Sequence, residues 1–197
     1  MSQDLEDDAF HDKTSREDVA YHEAGHAVAH WRHDYDRPVD KVTVKPGEGY
    51  LGRVESTLPP QVMAAIDRGE EWTAEVDGLI GREVIATLAG PAAEARHRGR
   101  DNPAGAGSDH RTVMGFAYRC GMEGDLAAAF FEYRNLRARQ LVEVNWKLIE
   151  AVAAALLERE TLSGDECWAV IREARGYSPP LPGFVAPTSS KEKLLCP

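Results

Sequence analysis

Between His22 and His30 the chain reads "HEAGHAVAH", three histidines and a glutamate within nine positions. His22, Glu23 and His26 fit the pattern H-E-x-x-H. Residues four apart on a helix share one face, so two imidazoles can grip one ion. Zn²⁺ held by such nitrogens at about 2.0–2.1 Å, with one position left open, lowers the pKa of bound water to about 7. Glu23 stands next to the first histidine, placed to take the proton from that water and pass it to a leaving amine. A helix carrying these residues incidentally is the competing reading. Apolar residues thread the motif, however, and put it on a buried helix where unpaired His and Glu would be costly.

A catalytic zinc needs a third protein ligand. His30 lies eight residues beyond His22, about 12 Å along a straight helix, too far to share the ion, so it reads as a neighbouring or surface residue. A metzincin-type extension fails, because Ala29 and Arg32 occupy the places where Gly and His are required. The ligand must come from elsewhere in the fold. Glu94 and Asp109 are the candidates, and His97 and His110 are weaker ones that read as surface histidines.

The elements that must position these groups are mostly helical. Thr14 stands three residues before Glu17, a capping-box pattern, which predicts a helix from near Ser15 to about His33, ending before Pro38. "VDKVTVKPGEGYLGRVEST" alternates around a turn-rich centre and predicts a β-hairpin or two strands of a small sheet, with everything later helical. Val76, Leu79, Ile80, Val84, Leu88 and Ala92 mark a long core helix with Pro91 as a kink point. "DNPAGAG" reads as a loop, with the next helix opening near Ser108 or Asp109. Residues 126–160 form one long helix or two. Ser163 and Glu166 cap a last helix that Gly176 closes.

The whole chain bounds the chemistry further. It has 197 residues and a formal charge of −10, from 33 acids against 23 bases. That balance repels nucleic acid, and the basic stretch "EARHRGR" is too short to reverse it, reading as a solvated helix end. No apolar run reaches the roughly 18 to 20 residues of a membrane span, and the acidic N-terminus lacks the apolar core of a secretory signal. Cytoplasmic residence is the default expectation. Cys120, Cys167 and Cys196 are far apart and odd in number, which suggests neither a disulfide framework nor a thiolate metal site.

Four ordered stretches resemble the peptidase domain of the FtsH-type ATP-dependent zinc proteases. They are "VAYHEAGHAV", "DKVTVKPGEGYLGRV", "LAGPAAEARHRG" followed by "GAGSDHRTV", and "LVEVNWKLIEAVAAALLERETLSGDE". The resemblance implies a mainly α fold with a small β-sheet (α+β), zincin-like and of the FtsH type. Composition sets a flexible N-terminus (1–13) and a Pro-rich tail (178–197) on either side of the expected zinc peptidase-like domain (14–177). The resemblance further implies that His22, His26 and Asp109 hold Zn²⁺, that Glu23 is the catalytic acid/base and that Glu94 steers a ligand. The strand around Leu51 and Gly52 becomes an edge on which an extended substrate peptide adds as a further strand.

The family also carries transmembrane helices and a AAA+ ATPase module, and this chain has neither an apolar span nor a GxxxxGK[ST] motif. "GSD" also replaces the family's usual asparagine-containing triplet. The expectation is therefore a stand-alone, ATP-independent zinc metalloendopeptidase acting on peptides or unfolded protein, served by a separate ATPase or adaptor, and either monomeric or a homo-oligomer. The alternative is a non-catalytic zinc-binding interaction domain on the same scaffold.

Overall fold

A computed structural model of the chain describes residues 14–33, 39–55 and 74–176. Among them are six helices and a three-stranded sheet: α1 (Arg16–His33), β1 (Lys41–Thr43), β2 (Arg53–Glu55), α2 (Ala74–Arg98), α3 (Pro103–Arg119), α4 (Gly124–Val144), α5 (Trp146–Arg159), β3 (Thr161–Ser163) and α6 (Gly164–Ala174). The expected class, mainly α with a small sheet, is what the chain forms. The expected N-terminal segment and Pro-rich tail lie outside the described residues.

α1 begins where the sequence predicts, but its cap is shifted by one residue. The Ser15 Oγ accepts from the Asp18 amide at 3.0 Å, and Asp18 Oδ2 accepts from the Ser15 amide at 2.8 Å. Ser15 and Asp18, rather than Thr14 and Glu17, thus close the capping box. Beyond the cap, Ala20, Ala24, Ala27 and Val28 are wholly buried. They pack with Ala86, Ala89 and Ala93 of α2 and with Ile149, Val152 and Leu156 of α5.

α1 and α2 are the most extensively packed pair, and small residues set how close they come. A Cβ at Gly25 would collide with the Ala89 carbonyl oxygen and sit 2.7 Å from Ala93 Cβ. Glycine inside the motif is therefore a packing requirement. The second face of α2 buries Ile80, Val84 and Leu88 against Val113 of α3 and Ala138 of α4. α2 runs unbroken through Pro91.

Three expectations need correction. The first concerns "everything later is helical". Thr161–Ser163 forms β3, which pairs antiparallel with β1 on the side opposite β2, in the order β2-β1-β3. Three residues wedged between a helix end and a cap are too few to show an alternating pattern. Glu160, at φ 63°, makes the sharp turn that brings β3 back beside β1.

The second is the "DNPAGAG" loop, most of which is the first turn of α3. Pro103 occupies the start, where its missing N–H costs nothing, and Asn102 stands before it. Asp109 therefore lies in the second helical turn, not at the helix mouth. The third is the basic end of α2. Arg96 reaches Glu143 at 2.6 Å and lies over the Trp146 ring, His97 stacks on Tyr21 with ring centroids 3.9 Å apart, and Arg98 pairs with Asp18. His97 and Arg98 bind helix to helix, while Arg96 stays exposed as it reaches Glu143.

The stretch read as one long helix or two is two. Asn145 separates α4 from α5, its side chain donating back to the Leu141 carbonyl at 2.8 Å. The Ser163–Glu166 capping box opens α6 and the left-handed Gly176 follows its end, as expected.

Two predictions follow from this packing. Gly25→Ala should lower unfolding stability by about 1–3 kcal/mol through overpacking, read from urea denaturation with the slope unchanged. Cys167 is fully buried and its thiol is pushed up to about 12 by that burial, so it should resist thiol-specific reagents at pH 8 until the chain unfolds, whereas the half-buried Cys120 reacts in the native protein.

Candidate functional site

α1 carries His22, Glu23 and His26 on consecutive turns, and the second turn of α3 brings Asp109 against them. His22 Nε2 lies 3.1 Å from Asp109 Oδ2, and His26 Nε2 lies 3.8 Å from Asp109 Oδ1. One donor atom from each of these three residues falls within 4.8 Å of the others, the one such grouping among the described residues. Four-coordinate zinc with bonds of about 2.0–2.2 Å sets its ligand atoms about 3.3–3.6 Å apart. Two imidazole nitrogens and a carboxylate at these separations therefore suit a zinc ion after small adjustments.

The opposite nitrogens of both rings are already engaged. His26 Nδ1 donates to the Ala86 carbonyl at 2.9 Å, and His22 Nδ1 lies 2.9 Å from Glu94 Oε2. With Nδ1–H committed to an acceptor, Nε2 is the nitrogen left to a metal, and it lies toward Asp109 in each ring; a metal there would displace the proton that His22 Nε2 shares with Asp109 Oδ2. This arrangement fixes both tautomer and ring orientation in metal-binding histidines.

The electrostatics follow from burial and close charge. Burial alone would lower the His22 pKa, but hydrogen bonds to Asp109 and Glu94 outweigh it and push it up to about 10. Burial holds His26 below its ordinary value. Asp109 is pulled below the usual carboxylate range by His26 and His22 despite its burial. Glu23 is 6% exposed; burial pushes its carboxyl up to about 7, with the charge of His22 opposing and those of Asp109 and Glu94 adding.

A cleft of about 330 Å³ opens over this group, with His22, Glu23, His26 and Asp109 on one wall and Gly52, Arg53 and Val54 on another. A second cavity of about 300 Å³ continues past Glu23 and Gly52, lined by Val19, Leu51 and Ala104 among others. Gly52 stands between the two. A Cβ there would lie 2.6 Å from Val19 Cγ1 and 2.7 Å from Glu23 Oε1, so the approach to β2 is as close as a glycine permits. Among the described residues β2 pairs with β1 alone, at one end of the sheet, and Arg53 and Val54 line the cleft.

The remaining sequence candidates fall into place around this centre. Glu94, 1% exposed, faces the back of His22 and not the converging donor atoms. His30 lines the cleft wall without joining the group of three. His97 stacks on Tyr21, and His110 meets Phe131 edge-on at 5.1 Å, so neither approaches the centre.

Sequence reasoning passed over Asn102 and Arg98. Asn102 Nδ2 donates to Glu94 Oε1 at 2.5 Å and to Thr14 Oγ1 at 3.2 Å. Arg98 Nη1 lies 2.6 Å from Asp18 Oδ2 and 3.8 Å from Glu94 Oε1. The one sequence signal was an asparagine before a proline, which reads equally well as an ordinary turn.

The chain is similar to several ATP-dependent zinc metalloproteases. It is 30% identical over 173 residues to FTSH 9, chloroplastic/mitochondrial, of Oryza sativa subsp. japonica, a match covering 75% of this chain and 21% of that protein. It is 30% identical over 190 residues to FtsH of Acidimicrobium ferrooxidans, covering 82% of this chain and 29% of the relative. It is 31% identical over 186 residues to FtsH 1 of Symbiobacterium thermophilum, covering 82% and 30%. The chain thus spans less than a third of the length of each of these relatives. No described helix is long and apolar enough to cross a membrane. The model of peptidase family M41 matches residues 9–123, a span that runs from before α1 past the end of α3 and takes in both histidines, Glu23, Glu94 and Asp109. The chain belongs to peptidase family M41.

Proposed function

We propose that this chain is a zinc metallopeptidase that hydrolyses peptide bonds in peptides or unstructured chains, with His22, His26 and Asp109 as the zinc ligands and Glu23 as general base and acid. The observation that carries the reading is the convergence of two Nε2 atoms and a carboxylate within 4.8 Å at the wall of an open cleft. Zinc held there would act as a Lewis acid, polarising the scissile carbonyl and making water a stronger acid.

The remaining work falls to protein groups. Glu94 and the Ala86 carbonyl hold the two rings with Nε2 facing the cleft. Glu23 takes a proton from the attacking water and returns it to the departing amine. Its buried setting disfavours the charged form, which suits a carboxyl that must carry a proton between two steps. The edge of β2 that is unpaired among the described residues would offer backbone donors and acceptors to an extended peptide. The scissile bond would lie near Gly52, the residue just before β2, where an added Cβ would sit 2.7 Å from Glu23 Oε1. The cavities on either side of Gly52 would then take the side chains flanking the bond.

Cleavage of an already extended peptide draws only on these groups, so this chain needs no nucleotide for it. A folded substrate would need unfolding first, by a separate ATPase or adaptor. Assembly into a homo-oligomer is compatible with this chemistry and not required by it.

Glu23→Gln should keep its zinc, measured by elemental analysis, while cleavage of an unstructured protein falls by about 10²-fold or more. His22→Ala should lose the metal, and Asp109→Ala should bind it much more weakly. Bound zinc with no cleavage that depends on Glu23 would instead favour a non-catalytic zinc-binding domain. Gly52→Ala, which sets a methyl against Val19 and Glu23, should lower the cleavage rate with zinc stoichiometry unchanged; an unaltered rate would argue against a substrate path along β2.

A further inference from the structure

Behind the centre, Glu94 belongs to a buried polar chain whose other members the proposed chemistry does not use. Glu94 is 1% exposed and Asn102 7%, and the side chain of Arg98 is likewise 7% exposed. A buried carboxylate is costly unless its oxygens are satisfied. In Glu94 the two oxygens have different partners: Oε2 faces His22 Nδ1 at 2.9 Å, and Oε1 accepts from Asn102 Nδ2 at 2.5 Å.

The Asn102 amide has two N–H donors, and both find acceptors, Glu94 Oε1 and Thr14 Oγ1. The amide can therefore face only one way. Space is set with the same closeness, because a Cβ at Gly105 would lie 2.6 Å from Asn102 Nδ2 and 3.0 Å from Glu94 Oε2. Asn102 also gives its helix no side-chain cap, which is the ordinary use of an asparagine at that position. Its side chain is spent on Glu94 and Thr14 instead.

We infer that Asn102 is a positioning residue for the metal centre. By holding Glu94 Oε1 it turns Oε2 onto His22 Nδ1, and so keeps His22 Nε2 directed at the ion. Arg98 supports the same carboxylate from the far side and links it to Asp18 in the α1 capping box. The inference rests on the zinc reading of His22, His26 and Asp109, and adds to it a residue three contacts away from the ion, through Glu94 and His22.

The test is zinc affinity, measured by competition with a chromogenic chelator on the whole chain. Asn102→Asp keeps the shape but replaces the donor with an acceptor facing Glu94, and Asn102→Ala removes the donor without adding charge. Both should weaken zinc binding by roughly 10- to 100-fold, with the metal-free variants retaining native helical circular dichroism. A purely structural asparagine would lower the melting temperature and leave the affinity of the folded chain unchanged, which would overturn the inference. If the unaltered chain binds no zinc, the metal reading has failed, not this extension of it. Should neither variant fold, the Asn102 side-chain amide resonances of the unaltered chain decide: they should shift together with those of His22 on adding zinc, and amide signals indifferent to zinc would overturn the inference.

Discussion

The contact between Glu94 of α2 and His22 of α1 is the constraint around which the rest of this molecule is arranged. A carboxylate with almost no solvent meets there an imidazole that lines the cleft. The carboxylate must be satisfied by protein groups, since it cannot turn to water. Asn102 and Arg98 serve Glu94, while Asp109 serves the other side of the ring. One polar chain therefore joins the helix that carries the motif, the helix behind it and the start of the helix that brings the third candidate ligand. Helix packing and ligand geometry are consequences of the same contacts.

Close approach makes that chain possible. Gly25 lets α1 settle against Ala89 and Ala93 of α2, and Gly105 leaves room for Glu94 and Asn102. The same economy of side chains appears in front, where Gly52 brings the sheet edge to Glu23. Small residues at these positions set distances that no substitution can shorten. The small sheet, closed by β3 on its far side, supports β2, whose Arg53 and Val54 line the cleft.

Much of this is legible in the amino-acid sequence, for identifiable reasons. His22, Glu23 and His26 are readable because a helix repeats every 3.6 residues, so a spacing of four fixes a shared face. The span of α1, the long course of α2 and the Ser163–Glu166 cap are readable from local pattern. What escapes is whatever depends on distant partners. Spacing could not choose between Glu94 and Asp109, because the choice turns on which side of an imidazole each carboxylate reaches. β3 is too short to carry a periodic signal. The start of α3 was hidden by glycines whose role is to make room, not to form a loop. Asn102, Arg98 and the packed basic end of α2 have meaning only once three helices are brought together.

The whole account depends on two imidazole nitrogens and one carboxylate oxygen converging on a single zinc ion. X-ray absorption at the zinc edge, on protein loaded with one equivalent of metal, tests this most directly. The account predicts nitrogen and oxygen neighbours at about 2.0–2.2 Å, with the multiple-scattering signal of two imidazoles, and a fall to one imidazole in His26→Ala. A shell containing sulfur at about 2.3 Å, or a spectrum indifferent to loss of His26, would contradict it.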